Sequence, residues 1–433
     1  MRSSTRLSTE PNISAPALPS ALDPLPIAAS MPVSDPADQP PVSTPKTGKT
    51  ARTRRGNGRS VLEDVARHAG VSTATVSRVY NDPGKVSAAV RIRVEAAAKA
   101  LNWIPHAAGR ALASTRTHIA GIIIPTLDDH VFASQVSGMQ AAFAEHGITL
   151  FLGCSNYDPA QALTQVQAML ARGVEAMALV GEAHPPEVFE ALRRYRVPYV
   201  VTYAYRRDSP HVCVGFDNAA AYERIVDKLV GLGHRTFGTV FQPADDNDRV
   251  QARQRGLQAA LQRHGLLIAP EHRREGPATL AFGRDSLRAI MGLDQPLLER
   301  STRSPATTSG ARRAHKAAPS VRRPTAIVCG NDMLALGVLR EAAANGLVVP
   351  EDLSVTGFDD LALAAEAHPP LTTMRVDTHR IGRLAAERLL AMMQAAATGG
   401  GGSAANSKDN VLPGHDIEPE WLERGSTAPA PPR

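Results

Sequence analysis

The sequence predicts an α-helical helix-turn-helix head followed by a larger α/β body of two doubly wound parallel-sheet subdomains. Three observations carry that expectation. Residues 61–112 hold three short amphipathic helical segments and then an Arg-bearing fourth. From His118 onward, short apolar runs alternate with helical stretches, the pattern of parallel strands buried on both faces and joined by right-handed crossovers. Finally, 433 residues are enough for two or three domains.

In the head, Leu62, Val65, Ala66 and Ala69 share one face of a helix over 62–69. Gly70 ends it, Val71 packs inward, and Ser72 is placed to cap a second helix over 73–80. Burying Val76 and Val79 against the first helix leaves Thr73, Ala74, Thr75, Ser77 and Arg78 outward. Short hydroxyl and methyl side chains at a helix start, with an arginine one turn later, suit a helix laid end-on in a DNA major groove. Arg78 can donate a fork to guanine O6 and N7, while Thr73 and Ala74 can touch thymine methyls. Asn81 and Ser87 complete the candidate DNA contacts of the head. A plain helical hairpin would share the turn but present no such row of donors.

In the body, the candidate strands are 119–125, 148–153, 176–180, 199–203, 236–241, 326–330 and 353–358. Amphipathic helices are expected at 132–145, 159–171, 219–232, 250–264 and 332–345. Ligands of such sheets bind at the carboxyl ends of the strands, where loops converge.

The net charge is +6, in keeping with nucleic acid as a partner. Six basic residues and no acid lie between Lys46 and Ser60, a stretch that can add salt-sensitive phosphate contacts or be a solvated tail. Residues 1–45 are rich in Pro, Ser and Ala and are expected to be disordered. No run of about 20 apolar residues exists to cross a bilayer, and no secretory signal is apparent. Cys154, Cys213 and Cys329 are widely spaced, with no C-x-x-C and no neighbouring histidine pattern, so buried free thiols in a reducing cytoplasm are expected rather than a disulfide framework or a zinc site.

The stretches DVARHAGVSTATVSRVYN and VSAAVRIRVEAAAKALNWIPHAAGRAL resemble the N-terminal domain of the lactose/galactose-repressor family of bacterial regulators. VGFDNAAAYERIVDKLVGLGHRTFGTV, CGNDMLALGVLREAAANGLVVPEDLSVTGFDD and PPLTTMRVDTHRIGRLAAERLL carry the likeness through to about residue 395. The resemblance implies a hinge helix over His106 to Ala113 that folds only when two subunits sit on DNA, with Leu112 wedged into the minor groove. Such a wedge costs a few kcal/mol of unstacking and is offset by contacts that the bend allows. Gly109 stands where the family usually has alanine, a cost of about 1 kcal/mol in a helix. His106 replaces a usual asparagine and Val90 a usual threonine.

The resemblance also implies a body like a periplasmic sugar-binding protein, with effector in the cleft. Its first subdomain would take about 117–216 and reclaim the helix over 381–393; its second would take about 217–375. Carried over by motif, Arg253, Asn331 and Asp359 are the effector-binding residues: a fork donor, an amide and a carboxylate can hold adjacent hydroxyls. Outside that motif the same residues would read as a surface arginine, a helix cap and a turn former. Val376 stands where the family often has glutamine. LVGEAHPPE and VGFDN are similar to gluconate-type regulators, so a sugar acid is one expected ligand, its carboxylate pairing with Arg253 and His184.

The expected division is therefore a tail (1–58), a DNA-binding head (59–105), hinge and linker (106–116) and a two-lobed effector-binding and dimerisation body (117–395). Residues 294–323 are expected to form a flexible basic insertion within the body, and 396–433 a flexible C-terminal arm. The expected function is a homodimeric, cytoplasmic and nucleoid-associated regulator, a repressor of pseudo-palindromic operators answering to a sugar or sugar acid. No catalytic residue, cofactor or metal site is expected, since no nucleophile with its activator, second placed carboxylate or metal-ligand spacing appears. The competing readings are a transport-type sugar-binding protein and a sugar-modifying enzyme with an appended DNA-binding head. His234 and His379 are expected at helix ends or on the surface.

Overall fold

The protein is described here by a computed structural model covering residues 60–104, 116–293, 322–397 and 414–432. The hinge residues His106, Gly109 and Leu112, the expected tail and nearly all of the basic insertion lie outside the described residues.

The head is three helices around an aliphatic core: α1 (Leu62–Ala69), α2 (Thr73–Asn81) and α3 (Ala88–Ala100). Val65, Val76, Val79 and Val94 meet at its centre with Ala66, Ala69, Ala97 and Ala98. The sharp turn between α1 and α2 works because Gly70 adopts φ 65°, a left-handed conformation that disfavours side chains. Val71 N–H then bonds back to the Ala66 carbonyl at 3.0 Å. Ser72 Oγ accepts the Thr75 N–H at 3.2 Å and so starts α2. Trp103 closes the head by an edge contact with Tyr80, ring centroids 5.6 Å apart.

The body holds two parallel sheets. Lobe 1 runs β1 (Ile119–Ile124), α4 (His130–Ala144), β2 (Thr149–Cys154), α5 (Pro159–Ala171), β3 (Ala176–Val180), α6 (Pro186–Arg194), β4 (Tyr199–Thr202) and β5 (Cys213–Gly215). Lobe 2 runs α7 (Asn218–Gly231), β6 (Phe237–Phe241), α8 (Asp248–Arg263), β7 (Arg273–Glu275), α9 (Leu280–Met291), β8 (Ala326–Cys329), α10 (Asp332–Ala344), β9 (Ser354–Thr356), α11 (Ala362–Glu366) and β10 (Thr373–Arg375). The chain then returns through α12 (Thr378–Ala397), followed by β11 (His415–Asp416) and β12 (Glu420–Leu422).

Strand order is β11-β5-β4-β3-β1-β2 in lobe 1 and β7-β6-β8-β9 in lobe 2. Each lobe's first strand lies between the next two along the chain. Crossovers therefore leave in opposite directions on either side of it, opening a crevice at its carboxyl end. All seven expected strands form, within a residue or two of the expected limits. The apolar-on-both-faces pattern is explained by burial: every residue of β3, β4, β6 and β8 is buried.

α12 packs on α4 of lobe 1, so the last long helix belongs to the first lobe as expected. The two axes approach closely because glycines face each other's backbone. A Cβ on Gly138 would lie 2.1 Å from the His379 carbonyl oxygen, and one on Gly382 1.9 Å from that of Gln135.

The expectation of a flexible arm over 396–433 is wrong for residues 414–432. β11 extends the lobe 1 sheet beside β5, and β12 pairs antiparallel with β10. Beyond them Ser426 is fully buried, its hydroxyl donating to the Val355 carbonyl and accepting the Thr372 N–H at 2.8 Å. The reason is backbone satisfaction: β5, β9 and β10 would otherwise leave buried N–H and C=O groups unpaired. His234, expected at a helix end or surface, stands at the end of α7, its N–H closing on the Leu229 carbonyl at 3.1 Å, but is fully buried; one ring nitrogen pairs with Thr325 Oγ1 at 2.9 Å and the other with the Ala428 carbonyl at 3.1 Å. His379 is exposed.

Replacing Gly382 with alanine should force α12 off α4 and lower stability by about 1–3 kcal/mol through overpacking. Urea unfolding should show a lower midpoint at unchanged slope; an unaltered midpoint would count against this close approach.

Candidate functional site

On the head, Thr73, Ala74 and Arg78 are exposed on α2, while Thr75 and Ser77 are half-buried. The latter two are engaged internally. Thr75 Oγ1 pairs with Ser72 Oγ at 2.9 Å, and Asn81 Nδ2 donates to Ser77 Oγ at 3.0 Å. They therefore hold the helix start and its exit, leaving Thr73, Ala74 and Arg78 as the groups freest to meet a base edge. Ser87 is exposed and heads α3, whose first N–H groups have no partner within the helix and suit a phosphate.

In the body, the carboxyl ends of the strands converge on a cleft between the lobes. A cavity of about 510 Å³ is bounded by Asp129, Asn156 and Tyr157 of lobe 1 and by Gln242, Asn247 and Asn331 of lobe 2, among others. It adjoins a void of about 30 Å³ that reaches Tyr203, Arg253 and Asp359. The expected trio is thus spread over two adjoining spaces: Asn331 at the larger, Arg253 and Asp359 at the smaller.

Arg253 sits on the inner face of α8 and is 4% exposed. Its Nε donates to Asn218 Oδ1 at 2.8 Å and its Nη1 to the Gly330 carbonyl at 2.8 Å. Nη2 lies 3.9 Å from Asp359 Oδ1, and the Phe358 ring packs with its centroid 4.1 Å from the guanidinium carbon. Burial disfavours a charge here, but Tyr222, Asp359 and Tyr203 act the other way and hold the guanidinium charged. Asp359 is itself strained, at φ 101°, and accepts the Tyr203 hydroxyl from lobe 1. Burial pushes its carboxyl up to about 6, against the opposing pull of Arg253 and the Tyr203 hydrogen bond; Asp129 adds to the rise. Asn331 is both cap and lining residue: its Oδ1 takes the Leu334 N–H at 3.1 Å to start α10.

Asp332 next to it is fully buried. It accepts the Thr373 hydroxyl and the Leu361 N–H, each at 2.7 Å, tying α10 to the segments after β9. Burial pushes its carboxyl up to about 7, with Asp359 and Asp360 contributing and the two hydrogen bonds opposing. Asp360 turns away from the void to pair with Arg375 at 2.9 Å and Arg424 at 2.6 Å.

Comparison with known proteins fits this geometry. Residues 61–106 match the profile of bacterial regulatory proteins of the lacI family. Residues 117–297 match that of periplasmic binding proteins and the sugar-binding domain of the LacI family, and residues 226–427 a periplasmic binding protein-like domain. The HTH-type transcriptional repressor CytR of Escherichia coli K12 is 30% identical over 334 residues, 77% of this chain and 90% of that protein. The chain belongs to the lacI family of bacterial regulatory proteins. Another relative, the ribose operon repressor of E. coli K12, is 30% identical over 76% of this chain and 92% of its own length. Among solved structures, a LacI-family transcriptional regulator from Silicibacter pomeroyi aligns with a TM-score of 0.68 at 25% identity, covering 85% of this chain and 99% of that one. The lac repressor bound to ONPG aligns at 0.64 and 25%, covering 85% and 100%.

One expectation about this lacI-family chain needs revision. His184 does not line the cavity and is packed edge-on to Phe189. Burial, helped by Arg249, holds its ring down at about 4, so it is neutral and brings no charge to a carboxylate ligand. Val376 is only 6% exposed and lies in the body's core, outside the cavity and void that hold the expected trio. The motif comparison missed Asp129, Tyr157, Tyr203, Gln242 and Asn247. Asp129 and Gln242 follow β1 and β6, the strands that define the two crevices, so strand order was the signal that could have found them. Among the described residues no His, Cys, Asp and Glu cluster could hold a metal ion, and no helix is long and apolar enough to cross a membrane.

The raised Asp332 carboxyl has a defined signature. Its folded value near 7 exceeds the unfolded one near 4, so folding retains a proton across that interval and stability falls as pH rises through it. Asp332→Asn, whose amide can face Thr373 Oγ1 and whose carbonyl can face the Leu361 N–H, should flatten that fall in chemical denaturation between about pH 4 and 7. A slope equal to the parent's would rule out this carboxyl as its source.

Proposed function

We propose that this protein is a sequence-specific DNA-binding repressor of transcription whose operator affinity is set by a small hydroxylated effector held between the two lobes. The observation that carries the reading is the presence in one chain of an outward-facing α2 and a polar cleft built at both sheet crevices. Neither feature alone would need the other. A transport-type binder has no use for the head, and an architectural DNA protein has none for the cleft.

The protein acts as a homodimer, since one three-helix head reads only a half-site and two-fold symmetry has to be mirrored in the DNA. Thr73, Ala74 and Arg78 meet base edges, Ser87 meets a phosphate, and Thr75, Ser77 and Asn81 set the pose of α2. His106, Gly109 and Leu112 form the hinge, with Leu112 as the minor-groove wedge. Effector closing the cleft changes the relation of the two first lobes and so the spacing of the paired hinges. The setting is the bacterial cytoplasm, at the nucleoid, and catalysis has no part in the proposal. The names of CytR and the ribose operon repressor, both repressors, support this reading.

Selection of operators from random duplex should return a pseudo-palindrome, and its gel shift should respond to the effector; no preference for any palindrome would overturn the proposal. Arg78→Ala should weaken binding by about 1–3 kcal/mol and relax preference at one base position in each half-site. Uniform weakening on all sequences, with a shallower salt dependence, would make Arg78 a phosphate contact instead.

A further inference from the structure

The narrow end of the cleft holds carboxylates of both lobes and an unpaired acceptor. Its void of about 30 Å³ has room for one small polar group such as a water or an ammonium. From lobe 1, Asp129 faces it with one oxygen engaged by the Val131 N–H at 3.2 Å. From lobe 2 come Asp359 and Gln242, whose buried Oε1 has no hydrogen-bond partner. Two guanidiniums also border the void: Arg253 uses Nε on Asn218 and Nη1 on the Gly330 carbonyl, with Nη2 3.9 Å from Asp359, and Arg249 uses Nη1 on the Val180 carbonyl and Asp248. The wider cavity is more acidic, with Asp128, Asp129 and Asp245 on its wall, His130 beside them, and no lysine or arginine among its described lining residues. Rings of Phe132, Tyr157 and Tyr203 bound the void, a surrounding that favours a cation further.

We propose that the effector is a hydroxylated ring bearing an amine, whose ammonium bridges Asp129 of lobe 1 and Asp359 of lobe 2 with Gln242 Oε1 as third acceptor. This rests on the effector-binding reading of the cleft and narrows it. An ammonium between carboxylates of different lobes neutralises their mutual repulsion only when the lobes are together, so binding and closure are the same event. A carboxylate-bearing ligand placed between Asp129 and Asp359 meets two like charges.

Calorimetry on the full-length protein with D-glucosamine, D-glucose and D-gluconate tests the assignment. Glucosamine should bind about tenfold or more tightly than glucose, with gluconate weakest, and Asp129→Asn should shrink the glucosamine preference to near unity. Equal affinities, a preference for glucose or gluconate, or a preference that survives Asp129→Asn would overturn it. A gel shift answering to glucose or gluconate but not to glucosamine would sink the amine subsite while leaving an effector-controlled regulator intact. Operator binding indifferent to all three would sink it as well.

Discussion

A guanidinium with almost no access to water organises the body of this protein. Burying an unpaired charge costs several kcal/mol or more, so Arg253 is tolerated only while its donors are used and its charge is opposed. Asn218 comes from the start of α7, Gly330 from the turn after β8, and Asp359 from the turn after β9. One side chain on α8 thereby fixes three strand and helix ends of lobe 2. Through Asp359 and the Tyr203 hydroxyl the same network reaches lobe 1. The cleft is accordingly a set of loops pinned from beneath by one charge, and its polar walls follow from that need.

The head obeys a simpler constraint. Its core is nearly all valine and alanine, closed by Trp103 on Tyr80, which leaves the outer face of α2 free of any structural duty. The hydroxyls that do have such a duty, on Ser72, Thr75 and Ser77, are occupied by one another or by Asn81. Division of labour along one short helix separates the groups that hold it from the groups that face outward.

Much of this was legible from residue order. Buried parallel strands announce themselves as unbroken apolar runs, and β3, β4, β6 and β8 are such runs. The pieces that escaped notice are those whose structure comes from neighbours. β7 is three exposed charged residues on a sheet edge, β5 only Cys213–Gly215, and α6 and α9 lie between recognised elements without having been singled out. Residues 414–432 carry no period of their own because they are shaped by partners on β5, β9 and β10. Arg253, Asn331 and Asp359 stood in recognisable motifs. Gln242 and Tyr203 are single polar residues at strand ends and Asp129 caps the helix after β1, and only the sheet order says which ends face each other. The charge carried by His184 depends on burial between elements far apart in the chain, which residue order does not contain.

The C-terminal segment has a mechanical consequence. It joins lobe 1 at β11 and lobe 2 at β12 and Ser426, next to the two other places where the chain passes between lobes, after β5 and before α12. Three parallel tethers along one side act as the spine of a book: they permit the covers to swing and forbid them to slide or twist freely. The chain enters lobe 1 at the amino end of β1, opposite the mouth of the cleft. Any swing about that spine displaces most the edge of lobe 1 farthest from it, the edge at which β1 begins.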